Sequence, residues 1–328
     1  MSSPRVLFVT ARKEDYLQDA LMIGLRGLLG KDAVDLPRKP VLYTDEPRPT
    51  GELYGRGFTL WKQLDPVDEP HRPGRLASLL AASDSAFDVV VFGSVRRMSG
   101  ELRWARLGRR VRALLGRAPR TPWLLIDGED ATDIDAGLLG LGTYLKRERM
   151  PADAARTEPI GFGIPDAKLI GSVRTDKPRL FATHVQCEEA RRHPWIAAHC
   201  NPGYAFEHEA DYYADLASAH FAVTMKKAGW DCMRHYEIAA SGTVPCFWQL
   251  DAKPATCAPH GLVPGENCLT FDTAEELAER TDALLASGHY PAVAAAALDW
   301  ARAHTCTSLA RRTLALAGLR VPAPTASC

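Results

Sequence analysis

Short apolar runs, each followed by polar or glycine residues, recur along the first half of the chain. They read VLFVTA from Val6 to Ala11, FDVVVFGSV from Phe87 to Val95 and WLLID from Trp123 to Asp127. Such runs are typical of strands that are buried on both faces of a parallel sheet. Leucines at spacings of four, four and three between residues 15 and 29 predict a helix after the first strand, ending at Gly30.

The alternation resumes after a stretch rich in glycine and proline at residues 159–178. The later apolar runs predict strands at Arg179 to Val185, His220 to Met225, Thr243 to Trp248 and Cys268 to Phe271. Helices are predicted at Arg234 to Ser241, from Thr273, and over the alanine-rich tail from Pro291 to Leu319. We therefore predict an α/β fold of two doubly wound domains, residues 1–165 and 166–328, whose ligands bind beyond the carboxyl ends of the strands.

One long interval, Pro37 to Pro73, interrupts this rhythm. It contains seven prolines and the glycine cluster GELYGRGF. We expect a long ordered loop or a small hairpin here, and loops of this length in compact domains are often functional.

Charge and composition narrow the function classes. Among 328 residues, 40 lysines and arginines balance 40 aspartates and glutamates. The chain therefore has no net field to attract nucleic acid, and a nucleic-acid partner is not expected. The N-terminus lacks the long apolar region of a signal peptide, and no stretch approaches the roughly 18 apolar residues of a membrane-spanning helix. A cytoplasmic location is expected.

All eight cysteines lie after residue 186, with no CxxC pair and no zinc-type spacing of cysteine and histidine. In a cytoplasmic protein we expect them to be reduced thiols, most of them buried as small apolar side chains.

The segment from Tyr212 to Trp248 carries the clearest chemistry. It predicts a strand, a glycine-containing loop and a helix that opens with Arg234 and Glu237. A spacing of three puts these side chains on one helical face, near the N-terminal turn whose backbone N–H groups point outward. A guanidinium and a helix N-terminus can bind a diphosphate, and a carboxylate can accept hydrogen bonds from ribose hydroxyls. The alternative is a salt bridge on a surface helix.

This segment resembles the donor-site motif of glycosyltransferases with the GT-B fold, in particular the CgeB-like and exostosin-like (glycosyltransferase family 1-like) families. Their pattern of strand, glycine loop, Arg-x-x-Glu and Ala-x-Gly-x-x-Pro is matched by Arg234, Glu237, Ala240, Gly242 and Pro245. The resemblance implies two Rossmann-like domains facing each other across a cleft, an acceptor-side domain first and a donor domain second. Arg234 would contact the donor phosphates and Glu237 the ribose.

The same resemblance implies a nucleoside-diphosphate-sugar as co-substrate and no metal or other cofactor. The acceptor, whether glycan, lipid, protein or small molecule, is left open. An acid at position 229 would complete the paired-glutamate signature of the large retaining families, but the chain has Gly229 there. A retaining mechanism is therefore not supported.

Further candidates for donor binding surround this motif. They are His235, Lys226, Trp230, Gly242, Thr183 and His184. Lys226 and its neighbour Lys227 can supply a second phosphate contact or be solvated, and Trp230 can stack on a base or sugar or serve as a packing wedge. Thr183 and His184 end the first predicted strand of the second domain, where an open sheet places ligand groups.

An acidic turn follows the predicted strand that ends at Asp127. Our hypothesis is that Asp130, or failing it Glu129 or Asp127, is the base that deprotonates the acceptor in an inverting transfer. The alternative is an acidic turn that caps the next helix. A metal site at these acids is not the preferred interpretation, because GT-B donor sites use helix ends and basic side chains instead.

Residues 96–120 hold nine arginines against one glutamate. The apolar stripe of this predicted basic amphipathic helix consists of Leu102, Leu107, Val111, Leu114 and Leu115. The helix can lie on anionic lipid at the inner membrane face, attract an anionic acceptor, or be a solvated outer helix of the sheet.

The function favoured by these features is a metal-independent glycosyltransferase. One alternative is a nucleotide-sugar epimerase on the same fold, which would form product from the sugar nucleotide alone. The other is a non-catalytic two-lobed binding protein, which would bind ligand without releasing a nucleoside diphosphate.

Overall fold

The computed structural model describes residues 3–11, 13–67, 86–116, 121–203 and 205–321. The chain divides into two compact units. The first consists of Met1–Arg48, Leu60–Ile160 and Cys306–Cys328, and the second of Pro49–Thr59 and Gly161–Thr305. The chain passes from the first unit to the second after Ile160, close to the predicted boundary at residue 165. The units differ from the predicted ranges because Pro49–Thr59 packs within the second unit and Cys306–Cys328 within the first.

The described part of the chain folds into the following strands and helices. The strands are β1 (Val6–Val9), β2 (Ala33–Leu36), β3 (Val89–Phe92), β4 (Trp123–Asp127), β5 (Thr143–Lys146), β6 (Glu158–Pro159), β7 (Arg179–Phe181), β8 (Ala219–Met225), β9 (Val244–Trp248) and β10 (Leu269–Phe271). The helices are α1 (Tyr16–Leu29), α2 (Ser99–Leu114), α3 (Pro194–His199), α4 (Glu209–Ser218), α5 (Met233–Ala240), α6 (Ala274–Ala286), α7 (Tyr290–Ala303) and α8 (Cys306–Leu316).

The first unit is built on a six-stranded sheet in the order β2-β1-β3-β4-β5-β6. Every pairing is parallel. The central strands β1, β3 and β4 are buried at every position, as expected for a parallel sheet covered on both faces. The strand order reverses between β1 and β3, and open sheets of this type bind ligands beyond the carboxyl ends at such a point.

Helix α1 packs against α8 on one side of this sheet. It begins after Asp15, whose carboxylate accepts hydrogen bonds from the backbone N–H groups of Leu17 and Gln18. Gly24 lets the two helices approach closely, because a Cβ at that position would lie 1.8 Å from the carbonyl oxygen of Cys306. This contact brings the C-terminal helix into the first unit.

The second unit has a four-stranded parallel sheet in the order β10-β9-β8-β7. Its core includes Phe181, Phe221, Val244 and Cys246, each with no exposed surface. Lys177 is buried, and its ammonium donates to the carbonyl oxygens of Ala219 and Gly242, which follow α4 and α5. A positive charge at the C-terminal ends of two helices complements both helix dipoles.

The mixed α/β fold with parallel sheets confirms the predicted fold class. The predicted strands are all present, and Thr273 caps α6 by accepting from the N–H of Glu276. The elements missed by the sequence pattern are β2, β5, β6, α3 and α4. In β2 and β5 a buried charge interrupts the apolar run, Asp35 in one and Lys146 in the other. Only two residues of α4 are buried, so its periodicity is weak.

The interval predicted as a loop or hairpin is an ordered loop as far as Val67. Three-residue and four-residue 3-10 turns occur at Pro40–Leu42, Thr50–Glu52 and Tyr54–Gly57. A single parallel bridge joins Tyr43 to Leu64. Residues 68–73 of the interval lie outside the described residues.

The prediction that most cysteines are buried is confirmed for the seven that the structure describes. None of these seven forms a disulfide, and Cys187, Cys246, Cys257, Cys268 and Cys306 are buried. Cys328 lies outside the described residues. None of the helices in the described part of the chain is both long and apolar enough to cross a membrane.

We predict that Gly24→Ala destabilises the first unit, by about 2 kcal/mol or more, because the new methyl group would collide with the backbone of α8. Gly27→Ala is the matched control on the same helix, since its Cβ would meet only Thr307 Oγ1, at 3.9 Å. That substitution should be neutral or stabilise by up to about 1 kcal/mol, because alanine is the better helix former. Urea unfolding of both variants measures the difference, and equal midpoints would contradict the packing described.

Candidate functional site

Helix α5 begins at the carboxyl-end loop of β8 and is fixed there by Asp231. The Asp231 carboxylate accepts from the backbone N–H of Phe162 at 2.8 Å and from the hydroxyl of Tyr236 at 2.9 Å. Cys232 precedes the first helical residue and makes no side-chain capping bond. At the other end of α5, Gly242 adopts φ +64°, and a Cβ there would lie 2.5 Å from Ile170. Gly242 therefore ends the helix and does not reach its N-terminal turn.

Arg234 lies half-buried in the first turn of α5. Its Nε donates to the carbonyl of Val223 at 3.2 Å, its Nη1 to the hydroxyl of Tyr212 at 3.2 Å, and its Nη2 to the carbonyl of His184. All three acceptors are neutral, and no carboxylate of the described chain lies within 4 Å of the guanidinium. A guanidinium has five N–H donors, so two remain for a further acceptor. The predicted alternative, a surface salt bridge to Glu237, is not formed.

Glu237 is buried, with 8% of its surface exposed. Its Oε2 accepts from the Tyr212 hydroxyl at 2.5 Å, and its Oε1 accepts from the Thr59 hydroxyl. Burial raises the pKa of Glu237, against the opposing effect of the two hydroxyl bonds and of Arg234. Tyr212 thus links the two motif residues, since it accepts from Arg234 and donates to Glu237. Both oxygens that the sequence assigns to a ribose are already used by protein hydroxyls.

Thr59 ends the segment Pro49–Thr59, which belongs to the second unit. Its φ of +75° is strained for a β-branched residue. Three contacts hold it there. Its N–H donates to Glu209 Oε1 at 2.5 Å, and its hydroxyl contacts both Glu237 and the hydroxyl of Tyr213. Phe58 packs on the Tyr212 ring with 5.7 Å between ring centroids. The segment is therefore anchored on the residues that position Arg234.

His235 and Trp230 pack into the interior of the second unit. His235 has no exposed surface, and its ring nitrogens contact the Thr224 hydroxyl at 2.7 Å and the Trp230 carbonyl at 2.9 Å. Its ring lies 4.7 Å from that of Phe247, against which Trp230 also stacks. The structure does not bring His235 to the exposed side of Arg234. His235 instead stabilises the loop before α5, and Trp230 is a half-buried packing residue.

Two residues after β7 have different surroundings. Thr183 is fully engaged with Asp215, to which its N–H and its hydroxyl donate at 2.7 Å and 2.6 Å. His184 lies against Arg234, which bonds its carbonyl, and its Nδ1 contacts the carbonyl of Gly203 at 2.7 Å. Burial and the nearby charge of Arg234 lower the pKa of His184 to about 4. His184 is therefore neutral at physiological pH.

Lys226 and Lys227 are exposed at the carboxyl end of β8. The Lys226 ammonium lies 5.6 Å from the centre of the Trp230 ring. Partial burial and the like charge of Arg234 lower the pKa of Lys227, which places its ammonium in the field of the guanidinium. No carboxylate of the described residues pairs with Lys227. Two cations, Arg234 and Lys227, thus share this edge of the sheet, and neither forms a direct ion pair with a carboxylate of the described residues.

The three acids proposed as catalytic bases lie in the first unit, and each contacts an arginine. Asp127 has no exposed surface, and its carboxylate contacts Arg96 at 3.2 Å and Lys146 at 3.1 Å. Glu129 pairs with Arg97 at 2.7 Å. Asp130 pairs with Arg147 but keeps half of its side chain exposed. The structure therefore favours Asp130 over the other two as an acid that a substrate can reach.

The arginines in this part of the first unit each bridge two acids. Arg96 pairs with Asp127 and Asp133, Arg97 with Glu129 and Asp15, and Arg147 with Asp130 and Glu148. The acidic turn is thus a set of ion pairs. The alternative prediction of a simple helix cap misses these partners.

Sequence reasoning missed Tyr212 and Thr59 as residues of the site. Tyr212 lies in α4, a helix that the pattern did not predict, and Thr59 is 178 residues from its partner Glu237. The glycine cluster around residues 51–57 was the available signal, since it marked the interval as an ordered loop.

No protein-family model matches the sequence, and no curated protein sequence matches it. Solved structures do. The complex of Anabaena HepE with UDP matches with a TM-score of 0.53 at 10% identity, over 96% of this chain and 100% of that one. The HepE complex with UDP and glucose gives 0.52 at 11% identity, over 95% and 98%. A glycosyltransferase from Rickettsia africae ESF-5 gives 0.53 at 10% identity, over 97% and 98%.

These structural neighbours are GT-B glycosyltransferases, and the chain has their α/β fold with two Rossmann-like domains. At identities near 10% the likeness is one of fold. The finer resemblance to the CgeB-like and exostosin-like families stays a prediction.

We predict that His184 makes the second unit lose stability as pH falls. Its folded-state pKa of about 4 lies below the ordinary value of 6.5, so the unfolded chain binds the proton first. Stability is present above pH 6.5 and lost as pH falls toward 4. His184→Asn keeps an N–H for the Gly203 carbonyl but does not titrate.

Urea unfolding at pH 7 and pH 5 tests this prediction. The wild-type free energy of unfolding should fall by about 2 kcal/mol more than that of His184→Asn over this interval. The test compares the change in the free energy of unfolding between the two pH values. A constant loss of stability from replacing the ring therefore cancels. An equal decline in both proteins would show that His184 titrates normally.

Proposed function

We propose that this chain is a glycosyltransferase that moves a sugar from a nucleoside-diphosphate-sugar to an acceptor hydroxyl, with Arg234 bound to the donor diphosphate. The observation that carries the proposal is the half-buried guanidinium of Arg234, whose three acceptors among the described residues are all neutral. It lies in the first turn of a helix, where backbone N–H groups also favour an anion. The fold shared with HepE, which was crystallised with UDP, supports the same ligand class.

As the nucleoside diphosphate leaves the sugar, negative charge develops on it. The proposed role of the site is to stabilise that charge. Arg234 has two unused N–H donors, and the exposed ammonium of Lys227 lies in its field. These groups can meet the charge of a diphosphate without a metal ion, so we propose a metal-independent reaction. Glu237 acts on the donor through Tyr212, which it holds against Arg234. We assign it this positioning role in place of the predicted ribose contact.

The base for the acceptor hydroxyl is proposed to be Asp130. Among the three acids of its turn, Asp130 keeps the largest exposed fraction, whereas Asp127 is fully buried. Arg147 orients the Asp130 carboxylate and leaves the rest of the side chain accessible. We also propose a reducing, cytoplasmic location, since the described cysteines form no disulfide.

Arg234→Gln should weaken the binding of UDP about 10- to 100-fold, because charge-assisted hydrogen bonds to phosphate are lost. The fold should be retained, since Arg234 forms no direct ion pair with a carboxylate of the described residues. Arg280→Gln is the matched control, as Arg280 pairs with Glu276 on α6 of the same unit. Isothermal titration with UDP and GDP, with and without EDTA, measures the affinities. Unchanged nucleotide affinity in Arg234→Gln, with or without EDTA, would defeat the assignment.

Asp130→Asn should lower the rate of nucleotide release at saturating donor by a factor of about 100 or more, the usual contribution of a general base. UDP affinity should stay the same, because the substitution leaves the second unit untouched. Glu129→Gln removes the neighbouring carboxylate and serves as the control. A coupled assay for the released nucleoside diphosphate, with cell extract as acceptor, reports both rates. Full activity of Asp130→Asn, or an equal loss in Glu129→Gln, would remove Asp130 from this role.

A further inference from the structure

Helix α2 of the first unit presents an apolar stripe to solvent. Trp104, Leu107, Val111 and Leu114 are spaced three, four and three apart, so they share one helical face. They are between 47% and 86% exposed, and Leu115, just past the helix, is 68% exposed. The stripe extends for about 16 Å along the helix axis. Contiguous apolar patches on a protein surface usually mark a contact with a partner or a membrane.

The orientation of α2 is fixed by its opposite face. Met98, Leu102 and Ala105 are buried in the core of the first unit. Arg109 stacks on Trp123, 3.5 Å from the ring centre, and donates to the carbonyls of Leu141 and Thr121 at 2.8 Å and 2.5 Å. Of the five residues predicted as the apolar stripe, only Leu102 is buried. The solvated outer helix predicted as one alternative does not account for the others.

Arginines line one side of the exposed stripe. Arg103, Arg106 and Arg110 are exposed, and no carboxylate of the described residues lies within 4 Å of any of them. The only acidic residue of α2 is Glu101. The surface formed by the stripe and these three arginines is therefore apolar in the middle and cationic at one edge. We call it the α2 surface.

We propose that the α2 surface binds an anionic lipid bilayer, with the apolar stripe inserted at the boundary between headgroups and acyl chains. This arrangement matches that of interfacial helices, in which tryptophan and leucine enter the bilayer and basic residues contact the headgroups. Each guanidinium can reach a lipid phosphate, because a long side chain extends from the apolar region toward the polar one. The proposal does not rest on the proposed transfer reaction.

Charge decides against a second copy of this chain as the occupant. A two-fold contact between two antiparallel α2 surfaces would bring the same arginines together from both copies, and like charges repel. A parallel contact would leave the three arginines of each copy without an opposite charge. An anionic membrane supplies the opposite charge along its whole surface, at a density that three neighbouring arginines can use at once. An acidic protein partner would also have to present an apolar stripe, and the experiment separates that case.

Co-sedimentation of the full chain with lipid vesicles tests the proposal. The wild type should bind vesicles of phosphatidylglycerol and phosphatidylcholine at low salt, and bind vesicles of phosphatidylcholine alone at least tenfold more weakly. Added salt should weaken the binding. Absence of binding to the anionic vesicles at low salt would overturn the proposal.

Two variants and a control separate the contributions. Arg103→Gln/Arg110→Gln should weaken binding about 25-fold, because each basic residue near an anionic surface contributes about fivefold. Leu107→Gln/Leu114→Gln should weaken it about tenfold or more, through loss of the inserted apolar side chains. Arg174→Gln/Arg192→Gln changes the net charge equally, and both residues are exposed elsewhere. This control should bind like the wild type.

Equal binding by the control and either α2 variant would overturn the proposal, since the substituted side chains of the α2 surface would then make no specific contribution to binding. So would a wild-type dimer, detected by light scattering, that Leu107→Gln/Leu114→Gln converts to a monomer. All of these side chains are exposed, so the variants should fold, and circular dichroism with thermal unfolding verifies that they do.

Discussion

The guanidinium of Arg234 lies in the first turn of α5, half-buried, and donates only to neutral oxygens. The helix dipole already makes this end of α5 positive, and a cation there costs about 0.3–1 kcal/mol. The like charge of Lys227 adds to the cost. Removing water from a charge without supplying an opposite one is unfavourable, so this edge of the sheet gains most from a bound anion. A diphosphate has the charge and the oxygen spacing to use both the guanidinium and the helix end.

The positive charge of Arg234 determines the hydrogen bonding and the protonation of the residues around it. His184 offers its carbonyl to the guanidinium and is kept neutral by burial and by that same charge. Tyr212 connects Arg234 to Glu237, and Thr59 completes the coordination of Glu237, which ties the segment Pro49–Thr59 to the site. In the first unit, by contrast, several arginines are paired with carboxylates. Its arginines at residues 96, 97 and 147 each bridge two acids, so their charge is balanced within the unit.

Local pattern was sufficient for the central strands and for α5. Continuous apolar runs, and a helix that ends at Gly242, are encoded within a few residues. The position of Arg234 at the start of that helix could therefore be predicted as well. The partners of Arg234 and Glu237 were not predictable, because Thr59 and Tyr212 reach them through tertiary packing. The same holds for β2 and β5, where Arg26 and Tyr43 lie beside the buried Asp35 and Asp127 lies beside the buried Lys146. Sequence pattern records the period of an element and says nothing of distant partners.

Helix α2 shows why periodicity does not fix which face of a helix is buried. Its sequence has an apolar stripe, which the pattern alone could assign either to the core or to a lipid surface. The structure instead buries a narrower face with Leu102 and Ala105. There Arg109 covers the ring of Trp123 and donates to two carbonyls that precede β4 and β5. Because a guanidinium can both stack and donate, it serves as an internal residue of this packing. The apolar stripe is then left outside, beside arginines without carboxylate partners among the described residues. Exposure of such a stripe is unfavourable in water alone, and an anionic bilayer removes both the exposed apolar surface and the unbalanced charge.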